Sequence, residues 1–256
     1  MMSIAPTSTG RHRVSEPFFY CPSLNETDGN ATLTGGEARH AGGARRLRPG
    51  DRVTLFNGHG LTAVAELVAI RERGLTADFH VREHRHQPPP RSGIHLACAL
   101  PKGDRLSTLL DMGTQLGMAS FTPLMCEHSV VRPGAVAIER WQRICLEACK
   151  QSRRAWLPSL RSAADPGSVA REAAIHGAPV WIAHPDGRTL DAKSFGGEHD
   201  RWFLIGPEGG FTNAEIAAAE AHGAHRVGLG EGILRIETAA LALLAATHLC
   251  PRENVE

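Results

Sequence analysis

The chain is 256 residues long and carries a formal net charge of +1, with 42% apolar and 21% charged residues. That length can bury a sizeable core without staples, and the near-zero charge gives no argument for a polyelectrolyte partner. No run approaches the ~18 apolar residues a membrane span needs, and the N-terminus has no apolar core of the kind a secretory signal carries.

Residues 1–14 are polar and aperiodic, which predicts a flexible tail. From Pro17 the pattern becomes β-like: Phe18-Phe19-Tyr20, "RVTLFN" (52–57), "LTAVAELVAI" (61–70) and "LTADFHVRE" (75–83) are separated by Gly and Asn. "NGHG" (57–60) reads as a hairpin turn, "RERG" (71–74) links the next two runs, and one helical piece lies near 36–46. These features predict a small β barrel or sandwich over residues 15–88. The triple proline in "HRHQPPPRSG" (84–93) is a stiff connector, and a second domain is expected over 92–256.

In that second part apolar runs alternate with helical patterns. Strands are expected at 94–100, 120–126, 178–185, 201–206 and 225–230. Helices are expected at 104–117, 137–154, 213–223 and 237–250. Alternation of this kind predicts a parallel α/β sheet with helices on both faces. The six cysteines (Cys21, Cys98, Cys126, Cys145, Cys149 and Cys250) contain no CxxC pair and read as buried apolar residues of a reducing, cytoplasmic protein. His84 and His86 have ligand-like spacing without a second pair, so no metal is expected.

Ligands of such sheets bind at the carboxyl ends of strands. Three loops are expected there: "AHPDG" (183–187), "GPEGG" (206–210) and "LGEGILRIETA" (229–239). "GPEGG" is neither GxGxxG nor a P-loop, which argues against a nucleotide-dependent oxidoreductase. Its glycines permit close approach and positive φ, and Thr212 with Glu215 makes a capping box that tethers the turn to a helix.

Taken together, "IGPEGGFT" and "LGEGILRIETA" in this order resemble the C-terminal signature of the ribosomal RNA uridine-N3 methyltransferases. These act on small-subunit (16S) RNA and belong to the knotted SPOUT superfamily. "PKGDRLSTLLDMGTQLGMASFTPLMCEHSVV" (101–131) is similar to that family's first β/α unit. Glu147, Ala148, Gln151, Ser152 and Arg154 match its Glu-Ala-x-x-Gln-Ser-x-Arg helix, and "HAGGARRLRPGD" (40–51) resembles an N-terminal stretch. The chain departs from the family pattern at Glu16, Pro17, Arg45, Met112 and Gln115.

The resemblance implies S-adenosylmethionine as methyl donor, a C-terminal trefoil knot, a PUA-like N-terminal barrel that contacts RNA, and a homodimer with its active site at the subunit junction. It places cofactor contacts on His184, on Ile205, Gly206, Pro207, Glu208, Gly209 and Gly210, and on Leu229, Gly230, Gly232, Ile233, Leu234, Thr238 and Ala239. The glycines are expected there because any Cβ would collide. Glu208 is either a ribose or sulfonium contact or a structural acceptor of neighbouring N–H groups. Arg154, Arg235 and Glu237 are the candidate catalytic residues. Arg39, His40, Arg45, Arg46 and Arg48, together with Lys102 and Arg105, are candidate RNA contacts. Two other readings stay open: a related methyltransferase acting on another RNA, and a catalytically silent RNA-binding assembly factor.

Overall fold

The computed structural model describes residues 16–132, 137–189 and 199–249. The expected tail at 1–14 and Cys250 lie outside them. The chain divides into two compact units. One runs to Asn57 and includes Leu61–Arg85; the other comprises Gly58–Gly60 and the chain from His86 onward.

The first unit contains β1 (Phe18–Tyr20), β2 (Asn30–Thr34), the short helix α1 (Gly35–Arg39), β3 (Arg52–Phe56), β4 (Leu61–Arg71) and β5 (Thr76–His86). They form a mixed five-stranded sheet, half a barrel, in the order β1-β3-β4-β5-β2. β1 pairs parallel to β3, whereas β3–β4 and β2–β5 are antiparallel. Alternation sets the inner face: Ala77, Phe79 and Val81 of β5 join Val53 and Leu55 of β3 and Leu33 of β2 in one core. α1 continues into a π-helical turn, His40–Ala44. β2 was not expected from the sequence; its "NATLT" has only Ala31 and Leu33 to bury.

The second unit runs β6 (Ile94–Ala99), α2 (Arg105–Gln115), β7 (Met118–Leu124), α3 (Ala137–Ser152), β8 (Ser159–Leu160), α4 (Pro166–Ile175), β9 (Val180–Thr189), β10 (Arg201–Ile205), α5 (Asn213–Glu220), β11 (Ala224–Gly228) and α6 (Ile236–Leu249). Its six strands are all parallel, in the order β11-β9-β10-β6-β7-β8. Helices cover both faces. On one side Leu109 and Leu110 of α2, Trp141 and Cys145 of α3, and Ala240, Leu243 and Leu244 of α6 pack on Leu96, Phe121, Phe203 and Ile205. On the other, Val169, Ala170 and Ala173 of α4 and Ala219 of α5 pack on Ala97, Ile182, Trp202 and Leu204. Every residue of β10 is therefore buried, which is why Trp202 to Ile205 read as an unbroken apolar run rather than an alternating one.

The structure corrects one boundary. "AHPDG" is no terminal loop but lies inside β9. Ile182 pairs with Arg226, and the next pair is Arg188 with Val227, so residues 183–187 bulge out between two stretches of ladder. A Cβ on Gly187 would sit 2.2 Å from the Val227 carbonyl carbon; glycine is what lets the strands close again after the bulge.

Candidate active site

From β6 the chain builds outward through β7 and β8, then crosses to the other side for β9, β10 and β11. The direction reverses between β6 and β10, so the connections after these two neighbouring strands diverge and leave a crevice at their carboxyl ends. Charged side chains converge there. Glu208, in the turn after β10, lies 3.3 Å from Arg105 Nη1 and 3.7 Å from Lys102 Nζ, both in the β6–α2 connection and first helical turn. Arg105 Nε is also 3.9 Å from Glu237 Oε1 in the first turn of α6. One guanidinium thus reaches both the turn after β10 and the helix that follows the loop after β11.

The turn itself is closed by the Gly210 N–H donating to Pro207 O at 2.8 Å, with Gly210 at φ +74°. Beyond it, Thr212 and Glu215 form the expected capping box on α5. Two expectations for this turn need correction. Glu208 engages side-chain cations and, among the described residues, no neighbouring N–H group, and Lys102 and Arg105 are accordingly occupied by a carboxylate. The crowding at the glycines comes from the chain's own rings: a Cβ on Gly206 would lie 2.9 Å from Phe211, and one on Gly209 3.1 Å from His128. Gly210 and Gly230 are needed for their positive φ instead, and Gly232 faces open space.

The loop after β11 is built differently. Gly230 takes φ +105°, and the backbone groups of Gly230 to Leu234 have no partner among the described residues. Leu229 is half-buried, Leu234 is exposed, and Ile233 is 99% exposed, unusual for an isoleucine in a loop held between two packed elements. α6 then starts with the Ala239 N–H donating to Arg235 O. Ala239 is buried, Thr238 and Arg235 are exposed. The Glu237 side chain is only 13% exposed, and its Oε2 is buried without a partner among the described residues. In the turn after β10, the N–H groups of Glu208 and Gly209 likewise have no partner among the described residues, and Ile205 is buried at the end of its strand.

The last two candidates are placed differently from each other. His184 sits in the β9 bulge, where Nδ1 accepts the Asp186 N–H at 3.1 Å, and it acts electrostatically on Glu220 at the end of α5. Ile182, two residues before it, pairs with Leu204 of β10, and the bulge packs against Gly228, so His184 lies at the carboxyl edge beside both loops. Arg154 follows the last turn of α3. This helix begins at the carboxyl edge, where Arg140 meets Asp104 and Ser107, and its 16 residues carry the chain about 24 Å to the amino edge. Arg154 is therefore at the wrong end of the sheet to serve the cleft of its own chain. It is half-buried, its Nε has no partner among the described residues, and burial holds its guanidinium below the usual value. Burial also pushes the neighbouring Cys149 thiol up to about 12, so that thiol stays neutral beside it.

In the first unit seven of the arginines show two contrasting states. Arg71, Arg82 and Arg85 are paired with Asp78, Glu66 and Glu83 at 2.9, 2.9 and 2.7 Å. Arg39, Arg45, Arg46 and Arg48 are exposed, and among the described residues none has an ion pair. His40 departs from this cluster: it is half-buried, its ring edge-on to Phe19 at 5.6 Å.

Residues 88–248 match the RNA methyltransferase domain family, and residues 33–79 match the RNA methyltransferase PUA domain. The ribosomal RNA small subunit methyltransferase E of a Synechocystis species is 32% identical over 225 residues, which are 85% of this chain and 72% of that protein. The enzyme of the same name from Neisseria gonorrhoeae, crystallised with S-adenosylmethionine, superposes with a TM-score of 0.79 at 28% identity, covering 91% of this chain and 97% of that one. A proposed methyltransferase from Legionella pneumophila, also solved with bound S-adenosylmethionine, gives a TM-score of 0.81 at 28% identity over 92% and 98% of the two chains. The chain belongs to the ribosomal RNA small subunit methyltransferase E family, in agreement with the motifs at 203–239.

Proposed function

We propose that the chain methylates small-subunit (16S) ribosomal RNA at N3 of a uridine, using S-adenosylmethionine. The observation that carries the reading is the crevice after β6 and β10. There one residue, Arg105, ties together two glycine-bearing connections in which the N–H groups of Glu208 and Gly209 and the backbone of Gly230 to Leu234 have no partner among the described residues. Such groups suit the edge of an adenine and the hydroxyls of a ribose, and positive φ at Gly210 and Gly230 turns the backbone toward a ligand without a side chain in the way. The fit is to a neutral or cationic nucleoside more than to a phosphate, because Lys102 and Arg105 are offset by Glu208 and Glu237.

When bound, S-adenosylmethionine supplies a methyl group on a positively charged sulfur. The residues of the chain supply position and charge. The main chain of Ile205 to Gly210 and Leu229 to Leu234 orients the donor, with Thr238 and Ala239 at the base of the site; alignment of this kind contributes roughly 7–11 kcal/mol. Uracil N3–H is a weak acid, comparable to a phenol at about 10. Glu237, whose Oε2 is unpartnered, accepts that proton, and exposed Arg235 stabilises the negative charge at a uracil oxygen. His184, in the β9 bulge at the carboxyl edge beside β10, borders the cofactor side.

The functional unit in this reading is a homodimer with its site at the subunit junction. Exposed Met112, Ile138 and Ile233 support an apolar interface. Arg154, remote from the cleft of its own chain, acts on that of the partner. The C-terminal segment forms a trefoil knot; in support, β11 is at the outer end of the sheet while α6, directly after it, returns over the central strands β6 and β10. The domains divide at the proline connector, with a flexible tail at 1–14, an RNA-binding PUA-like barrel at 15–88 and the methyltransferase domain at 92–256. Arg39, Arg45, Arg46 and Arg48 contact phosphate from the barrel, beside His40, and Lys102 and Arg105 do so at the cleft mouth when RNA displaces Glu208. The enzyme works in the cytoplasm and needs no metal.

The test is direct. Small subunits from a strain lacking the enzyme are incubated with the protein and labelled S-adenosylmethionine, and the label is mapped. Label at N3 of one uridine of 16S RNA is the expected result; label on another RNA, or none, overturns the reading.

A further inference from the structure

The connection after β7 makes no part of the site described above, yet two of its consecutive residues are tied to the turn after β10. His128 Nδ1 lies 3.1 Å from Gly209 O and 3.1 Å from Gly210 O. The backbone N–H of Glu127 donates to Glu215 Oε1 at 2.8 Å, while Glu215 Oε2 accepts the Thr212 N–H at 2.7 Å. The capping-box carboxylate therefore serves two loops at once, and the imidazole holds the turn immediately before it.

Both acceptors of His128 are carbonyls, which only accept, so Nδ1 carries the hydrogen and shares it between them. The bond survives in the imidazolium and in the Nδ1–H neutral tautomer alike. Its consequence for the turn is specific. With the Gly209 and Gly210 carbonyls drawn toward the β7 connection and Gly210 N–H held by Pro207 O, the N–H groups of Glu208, Gly209 and Phe211 stay without a partner among the described residues. The ring also packs against Gly209 closely enough that a Cβ there would be 3.1 Å from His128 Cβ and 3.5 Å from Nδ1.

We infer that His128 is a positioning residue for cofactor binding: it fixes the peptide planes of Gly209 and Gly210 so that the turn presents its free N–H groups to the nucleoside. This rests on the proposed role of the turn in holding S-adenosylmethionine. His128 is exposed, so its replacement leaves the core intact.

Three variants separate the possibilities. His128→Asn keeps a donor where Nδ1 was, His128→Phe keeps a flat ring without the donor, and His128→Ala removes both. Calorimetry with S-adenosylmethionine is expected to give about tenfold weaker binding for the Ala and Phe variants, equivalent to about 1.4 kcal/mol, and near-wild-type binding for Asn. The KM for the cofactor rises in step while kcat at saturation and the melting temperature stay unchanged. Hydrogen exchange on the free proteins tests the brace independently of any ligand: the Gly210 amide exchanges about tenfold faster in the Ala and Phe variants only. Equal affinity in all three variants, with equal exchange at Gly210, overturns the inference. So does equal loss in all three accompanied by earlier melting. If the wild type itself shows no heat with S-adenosylmethionine, the proposed function fails, and with it His128 as a cofactor-positioning residue; faster exchange at Gly210 would then show only that the imidazole holds the turn.

Discussion

The two edges of the six-stranded sheet use their polar groups differently. At the amino edge, His95 is bonded to Ser120 Oγ at 2.7 Å, approaches Asp200 at 3.3 Å and stacks on Trp202, while Asp200 accepts the Gly93 N–H at 2.6 Å. Arg161 covers the same Trp202 and is paired with Glu172. Apart from His95 Nε2, which has no hydrogen-bond partner among the described residues, these groups pair with one another and hold the start of β6 to the start of β10. At the carboxyl edge of the same two strands, backbone N–H groups in two loops and one oxygen of Glu237 are without partners among the described residues. The loop groups are exposed and open to a ligand, whereas an unpaired buried oxygen such as Glu237 Oε2 is rare in a protein interior. The contrast shows where the fold spends polar groups on its own cohesion and where it keeps them for a ligand.

Substitutions that exchange the roles of the edges probe this contrast. The largest expected effect is from Arg105→Ala, which unties the two loops. Methylation should fall by 10- to 100-fold, about 1.4–2.7 kcal/mol, with little change in melting temperature. A drop in stability with unchanged turnover would make Arg105 a mere fold contact. Asp200→Ala is the mirror case. It leaves the Gly93 N–H and His95 without their acceptor and should cost about 1–2 kcal/mol in denaturant titrations, with the KM for cofactor unchanged.

A smaller, pH-dependent effect follows from His95. Burial lowers its imidazole below the ordinary histidine value of about 6.5, outweighing the opposing pull of Asp200. A base depressed in the folded state is protonated first in the unfolded chain. Its contribution is therefore complete above pH about 6.5 and is lost as pH falls through the depressed folded value. Melts between pH 7.5 and 5 should show a steeper acid decline for the wild type than for His95→Asn. The smallest effect belongs to the first unit, where paired and unpaired arginines repeat the contrast. Arg46→Ala should lower the slope of log affinity for RNA against log salt by about one, and Arg82→Ala, which breaks an ion pair, should leave it unchanged.

Much of the scaffold was legible in the residues. Strands buried on both faces are continuous apolar runs, as in β6 and β10, and the Thr212–Glu215 box announces α5. α4 was missed although Asp165 caps it and Pro166 opens it, because "VAREAAI" offers mostly alanine to the core. The 183–187 bulge read as a loop because Pro185, Asp186 and Gly187 are turn residues in either setting. The positions of the loops at 206 and 229 follow from the strand pattern alone. The displacement of Arg154 follows only from the direction of the β7–α3–β8 crossover. The His128 bonds span 81 and 82 residues, and no local signal marks them.

The most direct measurement is hydrogen exchange with and without S-adenosylmethionine, read peptide by peptide. The account predicts slower exchange at 205–210 and 229–234 on adding the compound, with the amino edge around 93–95 and 200–202 unchanged. Protection confined to the amino edge, or none at either loop, would contradict it.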